Sequence, residues 1–308
     1  MLNLPRFFVV SACAALLACA RAVSPSTPIA SAALQIFVAP DAGIVPALDL
    51  IHAAQKTLRV SAAVLTEKEI LDALKSARGR GVEVRVVLDA QNRATINALQ
   101  AANIATRTGA PGYKLVRANF IAQDERAALI LSFDQTRATM TGKRGFAART
   151  LDADQIGELI AVFEADWKRA PASPTNASLV WSPFNARQRL YALIDSATQS
   201  LDLECAELQD DAIEARIANA IQRGVAVRVV IAATQEKLTR AGAQIRLLKT
   251  PEIDGTLIIA DRARAFIGST RLGTVALDAN RELGMVITDA NGLDILATTF
   301  EEDWRVGK

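Results

Sequence analysis

Two stretches of this chain carry residues of the kind that hold phosphate or another anion. One is DGTLIIADRARAFIGS, residues 254–269, followed by DANRELGMVI. The other is RANFIAQDERAALILS, residues 117–132. Arg117, Asn119, Ser132, Thr256 and Ser269 are donors suited to phosphate oxygens. Asp124, Asp134, Asp254 and Asp261 can be imagined as a carboxylate cluster for a divalent cation, which takes oxygen ligands. Asp254 could also serve as an aspartate nucleophile, a role known in phosphoryl enzymes. No lysine stands beside it in its own stretch, and no proton donor is evident. The whole chain has one histidine, His52, far in sequence from both stretches. Its plain reading is a surface helix residue.

The elements that must position these residues occur twice. LQIFVAP, AQKTLRVSAAVL and RGVEVRVVLDA are answered by SLVWSP, ATQSLDLECAEL and RGVAVRVVIAA. Pro40 matches Pro183 and Gly81 matches Gly224, each 143 residues apart (183−40, 224−81). Asp124 matches Asp261, Ser132 matches Ser269 and Trp167 matches Trp304, each 137 apart (261−124, 269−132, 304−167). Fixed offsets of this length indicate a duplication. Each copy reads as a short strand, an amphipathic helix, a strand over 58–64 or 201–205, and a second helix stopped by the Gly of RGV. The β-branched VEVRVVL or VAVRVVI then forms a buried strand. A shorter helix and strand, the motif hairpin and a closing helix ending FEADW or FEEDW complete the copy. The expected fold class is α/β, two similar sheet-and-helix halves about a pseudo-two-fold axis, each sheet mostly parallel. One site at the junction would draw on both motif stretches.

The duplicated helix-RGVxVRVV-strand layout, the spacing from Asp261 to Gly268-Ser269, the NRELG run and the closing FEEDW resemble the phospholipase D superfamily over roughly residues 34–306. Active members carry H-x-K-x4-D and then G-S-x-N in each half. The resemblance implies a two-histidine mechanism, one imidazole attacking phosphorus and the other protonating the leaving alcohol. In the second copy Asp254 stands at the histidine position and Thr256 at the lysine position. Asp261, Gly268 and Ser269 match, Arg271 replaces Asn, and Asn280 with Glu282 matches a later N-x-E. In the first copy Arg117 replaces His and Asn119 replaces Lys, while Asp124 and Ser132 remain. Leu131 replaces Gly, Asp134 stands for Asn, and Lys143 and Gly145 replace the N-x-E pair. Two imidazoles cannot be assembled within one chain. The family gives the aspartate that ends the motif a supporting role, so Asp124 and Asp261 are expected to be structural. Two outcomes stay open for the cleft: an anion pocket around Arg117, or an Arg117–Asp254 ion pair that closes it.

The N-terminus reads as a targeting segment, with Arg6 before an apolar run over 7–18 that is short for a membrane span. Leu16-Leu17-Ala18-Cys19 resembles a lipobox, which implies a signal peptide over 1–18, acylation of Cys19 and a tether over 19–33. Ordinary cleavage after Ala20 or Ala22 is the alternative. Ala20 after the cysteine implies a lipid anchor in the outer membrane of the cell envelope, facing the periplasm. The repeats then cover 34–170 and 179–308, with a linker over 171–178. Removing residues 1–18 takes away Arg6 alone, so 34 bases face 33 acids and the net charge is +1. That gives no electrostatic case for nucleic acid as a partner. The partners expected are the membrane through Cys19 and a phospholipid or other phosphate ligand. No cofactor or metal is expected. Cys205 reads as a buried small hydrophobe, Trp167 and Trp304 as core, and Arg85 and Arg228 as strand-end residues. The function expected is that of a membrane-tethered, inactive phospholipase D-like protein that binds an anion or an envelope partner. The alternatives are an active phosphodiesterase or phosphatidyltransferase with substituted residues, and a nuclease-like binder.

Overall fold

The computed structural model describes residues 1–2 and 33–308; nearly all of the expected signal peptide, Cys19 and nearly all of the tether lie outside them. Ala33–Lys308 form one compact unit. Among the described residues no helix is long and apolar enough to cross a membrane. The duplicated order of elements is present throughout that unit.

Local sequence accounts for the helices. In Lys68–Gly79 the buried residues Ile70, Ala73, Leu74 and Ala77 recur at helical spacing. Ile213, Ile217 and Ala220 do the same in Asp211–Gln222. Both helices are followed by a glycine with positive φ, +93° at Gly81 and +89° at Gly224, which allows the left-handed turn that ends a helix. The two RGV strands, Glu83–Leu88 and Ala226–Ile231, follow at once.

The sheets are mixed, which corrects the expectation of a mostly parallel arrangement. The first runs Leu34–Ala39, Lys143–Thr150, Ala127–Leu131, Phe120–Gln123, Thr57–Ala62, Glu83–Leu88 and Ala105–Thr108. Only the last three strands run parallel to one another; the other pairings are antiparallel. The motif hairpin and the strand after it are joined without crossovers, so they reverse direction. The second sheet repeats this plan with Ser200–Cys205, Thr256–Ala260, Arg264–Gly268 and Arg281–Ile287 at its centre. Periodicity cannot separate a parallel from an antiparallel strand when both faces are buried.

The halves exchange short strands. Val116–Arg117 of the first half lies beside Arg281 and Glu282 of the second. Glu252–Ile253 of the second lies beside Lys143 and Arg144 of the first. Each exchange sits immediately before a motif hairpin, so it carries that motif's first residue to the junction. Two buried ion pairs span the same junction. Arg144 donates from Nε to Asp303 at 2.6 Å and from Nη2 at 3.0 Å. Arg281 donates to Asp166 at 3.0 and 2.7 Å from the same two atoms. These pairs are related by the repeat, since 281−144 and 303−166 both equal 137. Each joins a strand of one half to the closing helix of the other.

One apolar core is shared between the halves, with Phe120, Phe146, Phe163, Trp181, Leu257 and Phe300 at its centre. Two further cores lie under the outer helices of each half. Cys205 is buried in the second of these, as expected for a small hydrophobe. The closing-helix tryptophans are at the core edge rather than inside it. Trp167 stacks on Phe163 and Trp304 on Phe300, while arginines cover their other sides. Arg85 and Arg228 are among these, and each is paired with a closing-helix glutamate, Glu164 and Glu301 respectively.

Candidate functional site

Asp124 and Asp261 sit at the hairpin turns, not in the cleft. Both turns place two consecutive non-glycine residues at positive φ, Asp124-Glu125 at +53° and +58° and Asp261-Arg262 at +52° and +53°. That backbone is disfavoured for L-residues, and the aspartates hold it in place. Asp124 accepts the backbone N–H groups of Gln55, Lys56 and Thr57 at 2.7–2.8 Å. Asp261 accepts those of Thr198, Gln199 and Ser200 at 2.8–2.9 Å, and the Thr198 hydroxyl. Partial burial works against the Asp261 charge, but these donors outweigh it and hold the carboxyl down to about 2. Asp124 is lowered in the same way. Seven residues separate Asp254 from Asp261 along a strand, roughly 20 Å at the usual rise. The imagined four-aspartate cluster therefore does not assemble, and among the described residues no group of three or more acids, histidines or cysteines is placed to hold a metal ion.

Both serines lie at the junction, and Ser269 bonds across it. The Ser269 hydroxyl donates to the Arg117 carbonyl at 2.7 Å and also meets the backbone of Leu283. The Ser132 hydroxyl accepts from the Phe146 N–H at 2.8 Å. A β-carbon on Gly255 would lie 2.2 Å from it, so the glycine in the second motif admits the serine of the first. Asn119 is fully buried and accepts from the Ala63 N–H at 2.9 Å. Its amide donates to the Phe133 carbonyl at 2.9 Å and to Asp134 at 3.4 Å. Thr256 is buried in its strand. Of the five expected phosphate donors, only Arg117 lines the cavity at the junction.

At the two histidine positions the halves present opposite charges. Arg117 Nη2 lies 3.7 Å from Asp254 Oδ1. Arg117 is held more closely by Asp134, at 3.1 Å from Nη2 and 3.3 Å from Nε. Burial works against its charge, and Asp134 and then Asp254 more than restore it. Arg271 Nη2 reaches Asp254 at 3.5 Å, and its Nη1 lies 3.9 Å from Glu207. Burial raises the Asp254 carboxyl above its ordinary range; Arg117 opposes the rise and Asp134 adds to it. Glu282, brought beside Arg117 by the strand exchange, accepts from Asn280 at 2.8 Å and from the Arg271 N–H at 3.3 Å. Burial lifts it to about 7 against the pull of Asn280, Arg117 and Arg271.

Arg117, Asp134, Glu207, Arg271, Asn280 and Glu282 line a cavity of about 510 Å³ open to solvent. The Arg117–Asp254 pair forms, yet it does not fill the cleft. Sequence reasoning singled out Arg117, Asp134, Arg271, Asn280 and Glu282 through the motif register. It missed Glu207, which follows the strand Ser200–Cys205 outside any motif. His52 is exposed on the helix Val45–Ala53, away from these residues.

No curated protein matches the chain in sequence. Among solved structures, polyphosphate kinase from Porphyromonas gingivalis is similar with a TM-score of 0.74 at 16% identity, over 88% of this chain and 47% of that one. This chain thus spans about half the length of that kinase. Phosphatidylserine synthase from Haemophilus influenzae Rd KW20 gives a TM-score of 0.72 at 11% identity, over 90% of this chain and 87% of that one. At such identities the likeness is one of fold. The family described as "Cardiolipin synthase, PLD-like domain" matches twice, at residues 47–167 and 190–304. With both halves matched, the chain belongs to this family of the phospholipase D superfamily, as a duplicated PLD-like domain.

Proposed function

We propose that this protein is a catalytically silent phospholipase D-like protein whose junction cleft serves binding rather than phosphoryl transfer. The observation that carries this reading is the Arg117–Asp254 contact at the two histidine positions. A phosphoryl-transfer site needs a nucleophile and a proton donor poised at phosphorus. Here the first position holds a cation already paired with Asp134. The second holds a carboxylate turned toward two arginines. With a single exposed histidine in the chain, the family's two-imidazole chemistry lacks its groups. The test is incubation of residues 33–308 with cardiolipin, phosphatidylglycerol and phosphatidylserine, with and without divalent cations, followed by mass spectrometry of the lipids. The reading expects unchanged lipid; product that disappears with Asp254→Ala defeats it.

A second reading has one observation in its favour. Glu282, lifted to about 7, lines the cleft, with Asp254 behind the arginines of its wall, and a carboxyl near neutrality can exchange protons. An active phosphatidyltransferase would use that pair in place of histidines.

The N-terminal features support attachment at the outer membrane through an acylated Cys19, with the folded unit in the periplasm. A Cys19→Ser variant is expected to leave the membrane fraction after cell disruption; retention there would argue against acylation.

A further inference from the structure

We infer that the junction cavity receives a cationic hydrogen-bond donor, a primary ammonium or guanidinium group, rather than a phosphate. This rests on the cleft being a binding site, as proposed above, and names its ligand class. Charge is the first ground. Two guanidiniums, Arg117 and Arg271, meet three carboxylates, Asp134 and Glu207 in the wall and Asp254 behind both arginines, and Glu282 in the wall adds its charge as pH rises through about 7. An entering anion would find Arg117 held by Asp134, Arg271 loosely opposed by Asp254 and Glu207 at 3.5 and 3.9 Å, and the surplus negative. An entering cation meets that surplus directly.

The second ground is independent of charge. Asn280 lines the cavity and is 93% buried, being 7% exposed, and its Oδ1 has no hydrogen-bond partner. Its amide nitrogen is fixed on Glu282, which leaves the carbonyl oxygen as an unmatched acceptor. Asp254 Oδ2, equally buried, is unmatched too. A buried acceptor without a donor is unfavourable, and an N–H from a ligand removes that penalty. Arg271 Nε is the one fully buried donor of the wall without a partner. Glu207 supplies the outer carboxylate. It packs over Gly273, where a β-carbon would come within 2.8 Å of its Oε1.

The experiment measures thermal unfolding of residues 33–308 with ethanolamine, agmatine, inorganic phosphate or glycerol phosphate at matched ionic strength. Vesicles with and without phosphatidylethanolamine, assayed by co-sedimentation, separate a lipid headgroup from a free amine. An amine or agmatine is expected to raise Tm by about 5 °C at a hundredfold excess over Kd, or amine-bearing vesicles to retain the protein selectively. Glu207→Gln, at the cavity mouth and away from the shared core, is expected to weaken either effect about tenfold while leaving the unliganded Tm unchanged. Stabilisation by phosphate instead, or no response to any cationic probe, overturns the inference. A positive lipid-turnover result would defeat the silent-enzyme reading and leave this measurement standing. Loss of the cation response would do the reverse.

Discussion

Arg117 is the residue on which the cleft turns. It is buried, it holds Asp134 in two contacts and it faces Asp254 across the junction. Its removal leaves Asp134 without its cation and the buried Asp254 with Arg271 alone, a class of change that costs up to about 3–5 kcal/mol. Arg117→Met is therefore expected to lower the urea midpoint strongly, and Arg117→Met with Asp254→Asn to recover part of the loss. Glu282 provides the pH signature. Its folded value is about 7 against an ordinary 4.5, so between those limits the folded state holds a proton that the unfolded chain has released. Stability contributed by this group is present below pH 4.5 and is lost as pH rises through 7. Moving from 4.5 to about 7 corresponds to roughly 3 kcal/mol. Glu282→Gln is expected to flatten stability over that window, which chemical denaturation at successive pH values reads directly. An unchanged slope would contradict the assignment.

At the scale of elements, the duplication made most of the structure legible. The helix stops at Gly81 and Gly224, the buried RGV strands, both hairpins and both closing helices stand where the sequence placed them. Three things were not legible, each for a physical reason. Strand direction was obscured because strands buried on both faces lose the alternation that reports their surroundings. The strand exchange was hidden because two-residue strands have no periodicity at all. The backbone bonds of Ser132 and Ser269 are not legible, since a hydroxyl that bonds backbone looks the same in sequence as one that binds phosphate. The Arg144–Asp303 and Arg281–Asp166 pairs could have been found, because the offset of 137 relates them as it relates the serines. These pairs join the halves twice. Arg144→Leu alone is expected to destabilise by about 3–5 kcal/mol, and Arg144→Leu with Asp303→Leu by much less. Equal losses in the single and double variants would show that the pair does not act as a unit.

At the scale of the whole molecule, the two repeats form one compact unit. Trp181, Phe120 and Phe163 meet edge to face in the shared core, so neither half keeps a complete core when separated. Expression of 33–170 or 179–308 alone is expected to give protein without cooperative unfolding, whereas 33–308 unfolds in a single transition by circular dichroism and fluorescence. A stable isolated half would contradict this. On the proposed reading, the duplication explains how this fold can persist without phosphoryl-transfer chemistry. The aspartates at the turns, the serines at the junction and the cross-half arginines hold the frame, and none of them depends on a histidine. On this reading the cleft's charged groups engage one another instead of a phosphoryl group. Initial rates on bis(4-nitrophenyl) phosphate between pH 5 and pH 9, for residues 33–308 and for Asp254→Ala, test it most directly. Rates equal to the buffer blank for both proteins are predicted; turnover by the first that is abolished in the second would contradict the account.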